Sequence, residues 1–124
     1  MKIELESGLR DKNRISAYAD DHIMVRDEYI RTSCVITADK IFYSWKPYAD
    51  VAVVCSDFDP VISLGPEIIL FGTGKNLVIP DMELCAYIQG KNIGFEFMDN
   101  GAAIRSYNIL ISEERNVALA LLLS

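Results

Sequence analysis

The residues best suited to bind a ligand are polar side chains within an apolar stretch of the last third of the chain. Arg105 and Asn108 lie in GAAIRSYNIL, residues 101–110, which is otherwise mostly small, aliphatic or aromatic. An arginine presents a planar fork of N–H donors that suits carboxylates and phosphates, and an asparagine adds donors and an acceptor. Two interpretations follow. The polar residues form a helix face in contact with water, or they form one wall of a site for an anionic group.

A second candidate is the loop FGTGKNLVIP, residues 71–80, in which Gly72, Thr73 and Gly74 follow one another. Glycine permits positive φ and close approach of the backbone to a ligand. However, GTGKNL matches only the first two glycines of a dinucleotide-binding fingerprint, because Leu77 stands where the third glycine is required. We therefore expect no dinucleotide site, and no other cofactor is predicted. A tight turn is the alternative explanation of the two glycines.

Other side chains give little sign of catalysis or of metal binding. The cysteines Cys34, Cys55 and Cys85 are widely spaced in apolar sequence without a CxxC pair, so we expect buried free thiols. The single histidine, His22, is followed by apolar residues and preceded by two aspartates, so we expect a solvated strand end and no zinc site or catalytic triad. If a reaction occurs, Asp99 is its candidate acid or base. No metal is predicted, and the catalytic residues stay unknown.

Composition and charge exclude several classes of partner. The chain has 124 residues, of which 51% are hydrophobic, and this predicts one compact domain over residues 1–124. A net charge of −6 with scattered basic residues argues against binding to nucleic acid or to an anionic membrane. The longest apolar run, residues 117–123, is far shorter than the ~20 residues that span a bilayer. Since the N-terminal stretch also lacks a signal-like apolar segment, we expect a cytoplasmic protein.

The spacing of apolar residues predicts alternating strands and helices in the second half of the chain. The predicted strands cover residues 68–72, 93–98 and 117–123, and the predicted helices cover residues 81–90 and 101–114. Asp81 suits the start of the first helix and Gly90 its end, while Asp99 or Asn100 suits the start of the second. This order is typical of crossover units, so the first two strands should be parallel neighbours, with the helices on one face.

The first half of the chain, to about residue 55, has the texture of hairpins. SCVITADKIFYSW, residues 33–45, contains β-branched and aromatic residues on both sides of a candidate turn. The region that joins the halves carries three of the four prolines, which predicts an irregular connection with one short helical turn.

This order of elements places both candidate segments at one edge of the predicted sheet. Loops that leave the carboxyl ends of parallel strands share an edge, and ligands bind there. The loop 71–80 and the segment MDNG, residues 98–101, both leave that edge. Because helical side chains tilt toward the N-terminus, Arg105 should point to the start of its helix, where the free N–H groups favour an anion.

The helix over residues 101–114 has two unlike faces. At about 100° per residue, one stripe is polar and the opposite stripe is apolar. The polar stripe contains Arg105, Asn108 and Ser112. The apolar stripe, which we expect to face the core, contains Ala103, Tyr107, Leu110 and Ile111.

These segments resemble a family of small domains of unknown function, which includes the adipogenesis-associated Mth-domain protein and the mitochondrial assembly factor for respiratory complex I. The resemblance rests on PEIILFGTG, residues 66–74, and on IGFEFMDNGAAIRSYNILISEERNVALAL, residues 93–121. It is looser over residues 29–45, which look like a strand pair of the family that ends in a tryptophan, here Trp45. The positions that match the family pattern are Gly72, Gly74, Asp99, Arg105, Tyr107, Asn108 and Arg115.

The resemblance implies an α/β fold in three layers, β+β/α: a mixed central sheet, helices on one face, and an N-terminal β layer on the other. Four positions depart from the family pattern. Asn100 replaces the usual threonine, Ile104 a frequent cysteine, Ser106 a threonine, and Glu114 a glycine. The isoleucine removes any mechanism that depends on a thiol at that position.

Two classes of function remain. The first is a non-catalytic protein-binding or assembly module with an unidentified protein partner, implied by the relatives that assemble complex I and by the lack of a nucleophile–base pair. The second is a protein, or an enzyme, that binds a small anionic ligand between the Gly72–Gly74 loop and the Arg105 helix. A deep pocket with an ordered anion favours the second class, and an exposed apolar patch favours the first. The candidate binding residues are Gly72, Thr73, Gly74, Asp99, Arg105, Tyr107 and Asn108.

Overall fold

The computed structural model describes residues 12–46 and 52–124. The strands are β1 (Ile15–Ala19), β2 (His22–Val25), β3 (Glu28–Ile30), β4 (Ser33–Ile36), β5 (Ile41–Lys46), β6 (Ile68–Gly72), β7 (Gly94–Met98) and β8 (Val117–Leu121). A 3₁₀ turn (Cys55–Phe58) leads into helix α1 (Asp59–Ile62), and two longer helices follow, α2 (Met82–Gln89) and α3 (Asn100–Ser112). The strands form two sheets, one of three strands in the order β1-β2-β3 and one of five in the order β5-β4-β8-β6-β7.

The hairpins of the first half are confirmed. Strands β2 and β3 pair antiparallel across Arg26 and Asp27, whose φ angles of 52° and 66° are those of a tight primed turn. Strands β4 and β5 also pair antiparallel, and Thr37 closes their turn by accepting a bond from the Lys40 backbone. The sequence did not predict β1, because only Ile15 among its five residues is buried and the apolar alternation is therefore absent.

The parallel core of the second half is confirmed as well. Strand β6 pairs in parallel with β7 and with β8, and α2 connects β6 to β7. Gly72 is in register with Met98 on one side and with Leu121 on the other. Three strands therefore end at the same level, and we call this rim, with the loops that follow it, the carboxyl edge.

The α/β class, the mixed central sheet and the N-terminal β layer agree with the expectation, but the two long helices do not share one face. Helix α3 packs with the three-stranded sheet on one side of the central sheet, against Leu70 and Leu119. Helix α2 packs on the other side with Phe58, against Ile69. The chain moves from β6 to β7 in one direction and from β7 to β8 in the opposite one, and right-handed crossovers that reverse direction place their helices on opposite faces.

The α2 side of the central sheet contains an aromatic cluster beneath the connection between the halves. Phe58 lies edge-to-face with Trp45, Phe71 and Phe95, at centroid distances of 5.1, 5.3 and 5.7 Å. The Trp45 indole N–H donates to the Asp57 carbonyl at 2.7 Å, and the ammonium of Lys46 lies 3.1 Å from the Asp57 carboxylate. These contacts hold the predicted helical turn, which the structure confirms, against the end of β5.

Candidate binding surface at the carboxyl edge

The Gly72–Gly74 segment is held tightly against the start of α3. The Asn100 side chain accepts a bond from the Gly74 N–H at 3.0 Å and donates to the Leu122 carbonyl at 2.8 Å. The Asn100 backbone N–H donates to the Gly74 carbonyl at 2.8 Å. A Cβ on Gly72 would overlap the Asn100 amide oxygen and Leu121, while Gly74 has a φ of +113°. Glycine is therefore required at both positions, because side chains lie directly against Gly72 and Gly74 adopts a positive φ.

Thr73 fixes the shape of the loop that leaves β6. Its backbone N–H donates to the Met98 carbonyl at 2.9 Å, and its hydroxyl donates to the Asn76 carbonyl at 2.8 Å. The same hydroxyl accepts a bond from the Val78 N–H at 3.0 Å. The threonine is almost fully buried, so the side chain stabilises the loop from within.

Asp99, and not Asn100, caps helix α3. Its carboxylate accepts a bond from the Ala102 N–H at 3.0 Å, which places a negative charge at the positive end of the helix. Arg105 reaches back toward this end, as the tilt of helical side chains predicts, and a guanidinium N–H donates to the Tyr18 hydroxyl at 3.0 Å. A Cβ on Gly101 would lie 3.2 Å from that guanidinium nitrogen, so the arginine lies over the first turn of the helix.

Tyr107 and Asn108 follow Arg105 on α3 by two and three residues, and both bond to the N-terminal layer. The Tyr107 hydroxyl, fully buried, donates to the Asn13 carbonyl at 2.7 Å, and burial raises the pKa of this hydroxyl. The Asn108 amide accepts from the Ile15 N–H at 3.0 Å and donates to the Ile15 carbonyl at 2.9 Å. Asn108 thus pairs with the outer edge of β1 as a neighbouring strand would.

The seven candidate residues therefore divide into two groups. Gly72, Thr73, Gly74 and Asp99 lie at the carboxyl edge. Arg105 belongs with them, because its side chain reaches back over the first turn of α3. Tyr107 and Asn108 instead attach α3 to the three-stranded sheet. The predicted apolar stripe of α3 does face the core. Ala103, Tyr107 and Ile111 are buried, and Leu110 is partly buried against the same core cluster.

An exposed apolar surface lies beside the glycine segment. Within residues 77–82, which we call the apolar loop, four large apolar side chains face solvent: Leu77, Val78, Ile79 and Met82, with exposed fractions of 55%, 60%, 75% and 86%. Sequence reasoning identified this segment as a loop but missed its apolar character. The available signal was a run of aliphatic residues outside any periodic element, because such residues have no helix or strand face to bury them.

Carboxylates lie at the α2 end of the apolar loop. Asp81 occupies the position before the first residue of α2, yet its side chain accepts no capping bond. Burial, and then the charge of Glu83, raise the pKa of the nearby Cys55 thiol, and the carboxylates of Asp59 and Asp81 act in the same direction. The Cys55 sulfur lies 4.0 Å from the Glu83 carbonyl oxygen, so the 3₁₀ turn and the start of α2 adjoin. We call Asp59, Asp81 and Glu83 the acidic rim of this apolar surface.

The thiols and the histidine occupy separate positions. All three cysteines are free, as predicted, but only Cys34 is fully buried, and burial raises the pKa of its thiol to about 12. His22 lies partly exposed at the start of β2, 2.8 Å from the Asp21 carboxylate. Within residues 12–46 and 52–124, no group of three or more histidine, cysteine or acidic side chains is placed to hold a metal ion.

Two cavities lie away from the carboxyl edge. One, of about 170 Å³, is lined mainly by apolar residues of β5 and α1, including Phe42 and Val61. The other, of about 240 Å³, lies between the β4–β5 turn and the start of β8, beside Arg115. Neither is lined by any of the seven candidate residues. In the part of the chain that the structure describes, no helix has the length and apolar character to cross a bilayer.

Comparison with known families gives one match that covers most of the chain. The family model described as "Protein of unknown function (DUF498/DUF598)" matches residues 15–122. This range includes both sheets and all three helices.

Two curated proteins are similar over part of their length. The "13 kDa major membrane protein" of Francisella tularensis is 36% identical over 63 residues, which are 51% of each protein. The "NADH dehydrogenase [ubiquinone] 1 alpha subcomplex assembly factor 3" of Xenopus tropicalis is 24% identical over 110 residues, which are 87% of this chain and 60% of the relative. The chain thus spans between one half and two thirds of the curated relatives it matches.

Solved structures share the fold across nearly the whole chain. A Bordetella parapertussis protein is 31% identical, with a TM-score of 0.80 over 91% of this chain and 97% of that one. A Bordetella pertussis protein described as an Mth938-like domain is 26% identical, with a TM-score of 0.76 over 94% and 87% of the two chains. The resemblance to Mth-domain proteins is therefore confirmed.

Proposed function

Because the chain belongs to the DUF498/DUF598 family of proteins of unknown function, we propose its role from its own surface: it is a non-catalytic protein-binding or assembly module that docks through the apolar loop. The distant relative named as an assembly factor of NADH dehydrogenase supports a role in bringing proteins together. The observation that carries the proposal is the cluster of four large apolar side chains that are more than half exposed within six residues.

The apolar loop has the properties of a docking surface. Covering apolar side chains contributes roughly 25 cal/mol per Å² removed from water, so leaving them exposed is costly unless a partner covers them. The Thr73 hydroxyl holds the start of the loop through its bonds to Asn76 and Val78, and a pre-organised loop loses less conformational entropy on binding. Met82, the most exposed of the four, has a flexible side chain that adapts to varied surfaces.

The hydrogen bonds of the predicted pocket residues favour the docking function over the binding of a small ligand. The side chains of Thr73, Tyr107 and Asn108 all bond to backbone groups of the protein. Groups satisfied in this way stabilise the fold and offer few unpaired donors to a ligand.

A second candidate function, the binding of a small anion beside Arg105, is favoured by one observation. The arginine is exposed and forms no ion pair among residues 12–46 and 52–124. Against it, the Asp99 carboxylate already occupies the end of α3 that attracts anions. Titration with inorganic phosphate, followed by amide NMR shifts at Gly101 and Ala102, tests this candidate. Shifts that saturate in the wild type and vanish in Arg105→Ala support it, and shifts that are the same in both proteins exclude it.

A cytoplasmic location is part of the proposal. The acidic net charge of −6 supports it, because an anionic membrane surface repels such a chain. The Francisella tularensis relative is instead named a membrane protein. Cell fractionation with an antibody to the untagged protein tests this location, since recovery with the membrane fraction after a salt wash would contradict it.

The docking function is tested by purifying the protein from its own cells in three forms. The forms are wild type, the double variant Ile79→Ser with Met82→Ser, and the control Ile109→Ser, which removes an apolar residue of α3 that is also more than half exposed. The proposal predicts that a protein recovered with the wild type and the control is lost with the double variant. Recovery of the same partner with all three forms would refute docking through this loop.

A further inference from the structure

We infer that the partner segment that covers the apolar loop is cationic and amphipathic, with apolar side chains on one face and lysines or arginines beside them. This inference rests on the proposed docking function. It follows from the acidic side chains at the α2 end of the loop, since interfaces pair opposite potentials at their rims.

The acidic side chains at the rim are available to a partner. Asp81 and Glu83 flank Met82 in sequence, and both are exposed. The Asp81 carboxylate accepts no capping bond from α2. Neither carboxylate takes part in an ion pair among the residues that the structure describes. Asp59, on the adjoining helix α1, is exposed and accepts a bond from the Tyr87 hydroxyl.

The lysines closest in sequence to this surface already have partners. The ammonium of Lys75 lies 3.8 Å from the Asp20 carboxylate. The ammonium of Lys91 lies over the Tyr87 ring, 5.1 Å from its centroid, beyond the far end of α2. The acidic rim is therefore not neutralised by these two side chains.

The same charges argue against two other occupants of the apolar loop: a second copy of the chain and an anionic lipid surface. Two copies of the chain that joined through this surface would bring Asp81 and Glu83 of each copy toward those of the other, and each copy has a net charge of −6. An anionic lipid surface would be repelled for the same reason. A basic segment of another protein satisfies both the apolar centre and the acidic rim.

The probe is a pair of labelled synthetic peptides of about 18 residues, long enough for five helical turns. Both carry leucine at the same positions of one helical face, and the other face carries lysine in the first peptide and glutamate in the second. Fluorescence anisotropy gives the affinities for the wild type, for Asp81→Lys with Glu83→Lys, for Ile79→Ser with Met82→Ser, and for the control Ile109→Ser.

The inference predicts that the lysine peptide binds the wild type and the control at least tenfold more tightly than the glutamate peptide does, and less tightly as salt is added. Charge reversal at residues 81 and 83 should remove this preference, and the double serine variant should lose binding. Equal binding of the two peptides, or no binding of the lysine peptide, overturns the inference.

Two further outcomes would also overturn the inference: concentration-dependent self-association of the wild type through Ile79, and binding of the loop to phosphatidylglycerol vesicles. The proposed docking function fails separately, in the purification from cells, if the double serine variant keeps its partner. A partner that is lost from that variant while the lysine peptide does not bind would leave docking intact and refute only its cationic character.

Discussion

Three hydrogen-bonding side chains of α3 and the apolar loop both lie in surroundings that differ from what their residue types suggest. Arg105, Asn108 and Tyr107 have the residue types of a ligand site, yet each bonds to the N-terminal layer, over separations of 87 to 94 positions in the chain. The apolar loop has the composition of a core segment, yet its large side chains are exposed. Residue type alone therefore does not separate side chains that stabilise the fold from side chains left available at the surface, and the docking proposal rests on exposure instead.

Among the polar residues of this comparison, Asn108 has the largest expected effect. Asn108→Ala should lower the free energy of unfolding by about 2–4 kcal/mol, because the buried Ile15 N–H and carbonyl lose their partners at a cost of ~1–3 kcal/mol each. Urea denaturation measures the change. Ser112→Ala, at an exposed position of the same helix, is the control and should be nearly neutral. A loss below ~0.5 kcal/mol for Asn108→Ala would show that water replaces these bonds.

The ion pair between Glu67 and Arg115 should make the protein less stable as the pH falls into the acid range. The bond from the Arg115 guanidinium, 2.6 Å long, and that from the Asn116 N–H lower the pKa of the Glu67 carboxyl below its ordinary value of 4.5. A group with a lowered folded-state pKa stabilises the fold above its unfolded pKa, and this contribution is lost as pH falls through the folded value.

Melting temperatures measured from pH 6 to pH 2.5 should therefore fall more steeply in the wild type than in Glu67→Gln, chiefly below about pH 4.5. The glutamine still accepts a hydrogen bond but does not titrate. Parallel curves for the two proteins would show that this ion pair contributes no net stability, as many exposed ion pairs do not.

The end of α3 offers a smaller effect of opposite sign. Glu114 has a φ of 61°, in the left-handed region that favours glycine, and the Arg115 N–H donates to the Leu110 carbonyl at 2.9 Å. Glu114→Gly should stabilise by up to about 1 kcal/mol, because relief of left-handed strain exceeds the added backbone entropy. Glu113→Gly, at a residue with a φ of −92°, should instead destabilise. Thermal unfolding compares the two, and equal losses would contradict the strain argument.

The smallest effect belongs to the apolar loop. Ile79→Ser should change the free energy of unfolding by less than about 0.5 kcal/mol, because a side chain that is 75% exposed contributes little to the core. Its partner in the comparison is Ile111→Ser, at a residue that is 3% exposed, which should destabilise severely. A large loss for Ile79→Ser, measured by urea denaturation, would mean that the loop packs against the protein.

Much of the fold follows from local pattern. Buried strands such as β6 are continuous apolar runs, and a helix of crossover length between β6 and β7 leaves parallel pairing as the simple solution. The helix placement could not be predicted in the same way, because it depends on β8 inserting between β4 and β6. That position is set by pairing between residues as distant as Cys34 and Leu121, which no local period records.

The candidate site shows the same limit. The carboxyl edge and the direction of Arg105 were predicted from strand order and helix geometry, and the structure confirms both features. The partner of Asn108 was not predicted, because β1 carries almost no apolar signal. The exposure of Ile79 was missed for a related reason: hydrophobicity in a loop does not by itself show whether other residues cover it.

The central claim is that the apolar loop is where this protein docks, and photocrosslinking in living cells tests it most directly. A photoreactive amino acid is placed at Ile79, at Met82 or at the control position Ile109, and crosslinked products are identified by mass spectrometry. The claim predicts one protein partner that is crosslinked from positions 79 and 82 and not from 109. A partner captured from position 109 alone, or no product from the loop while the protein copurifies with a partner, would contradict it.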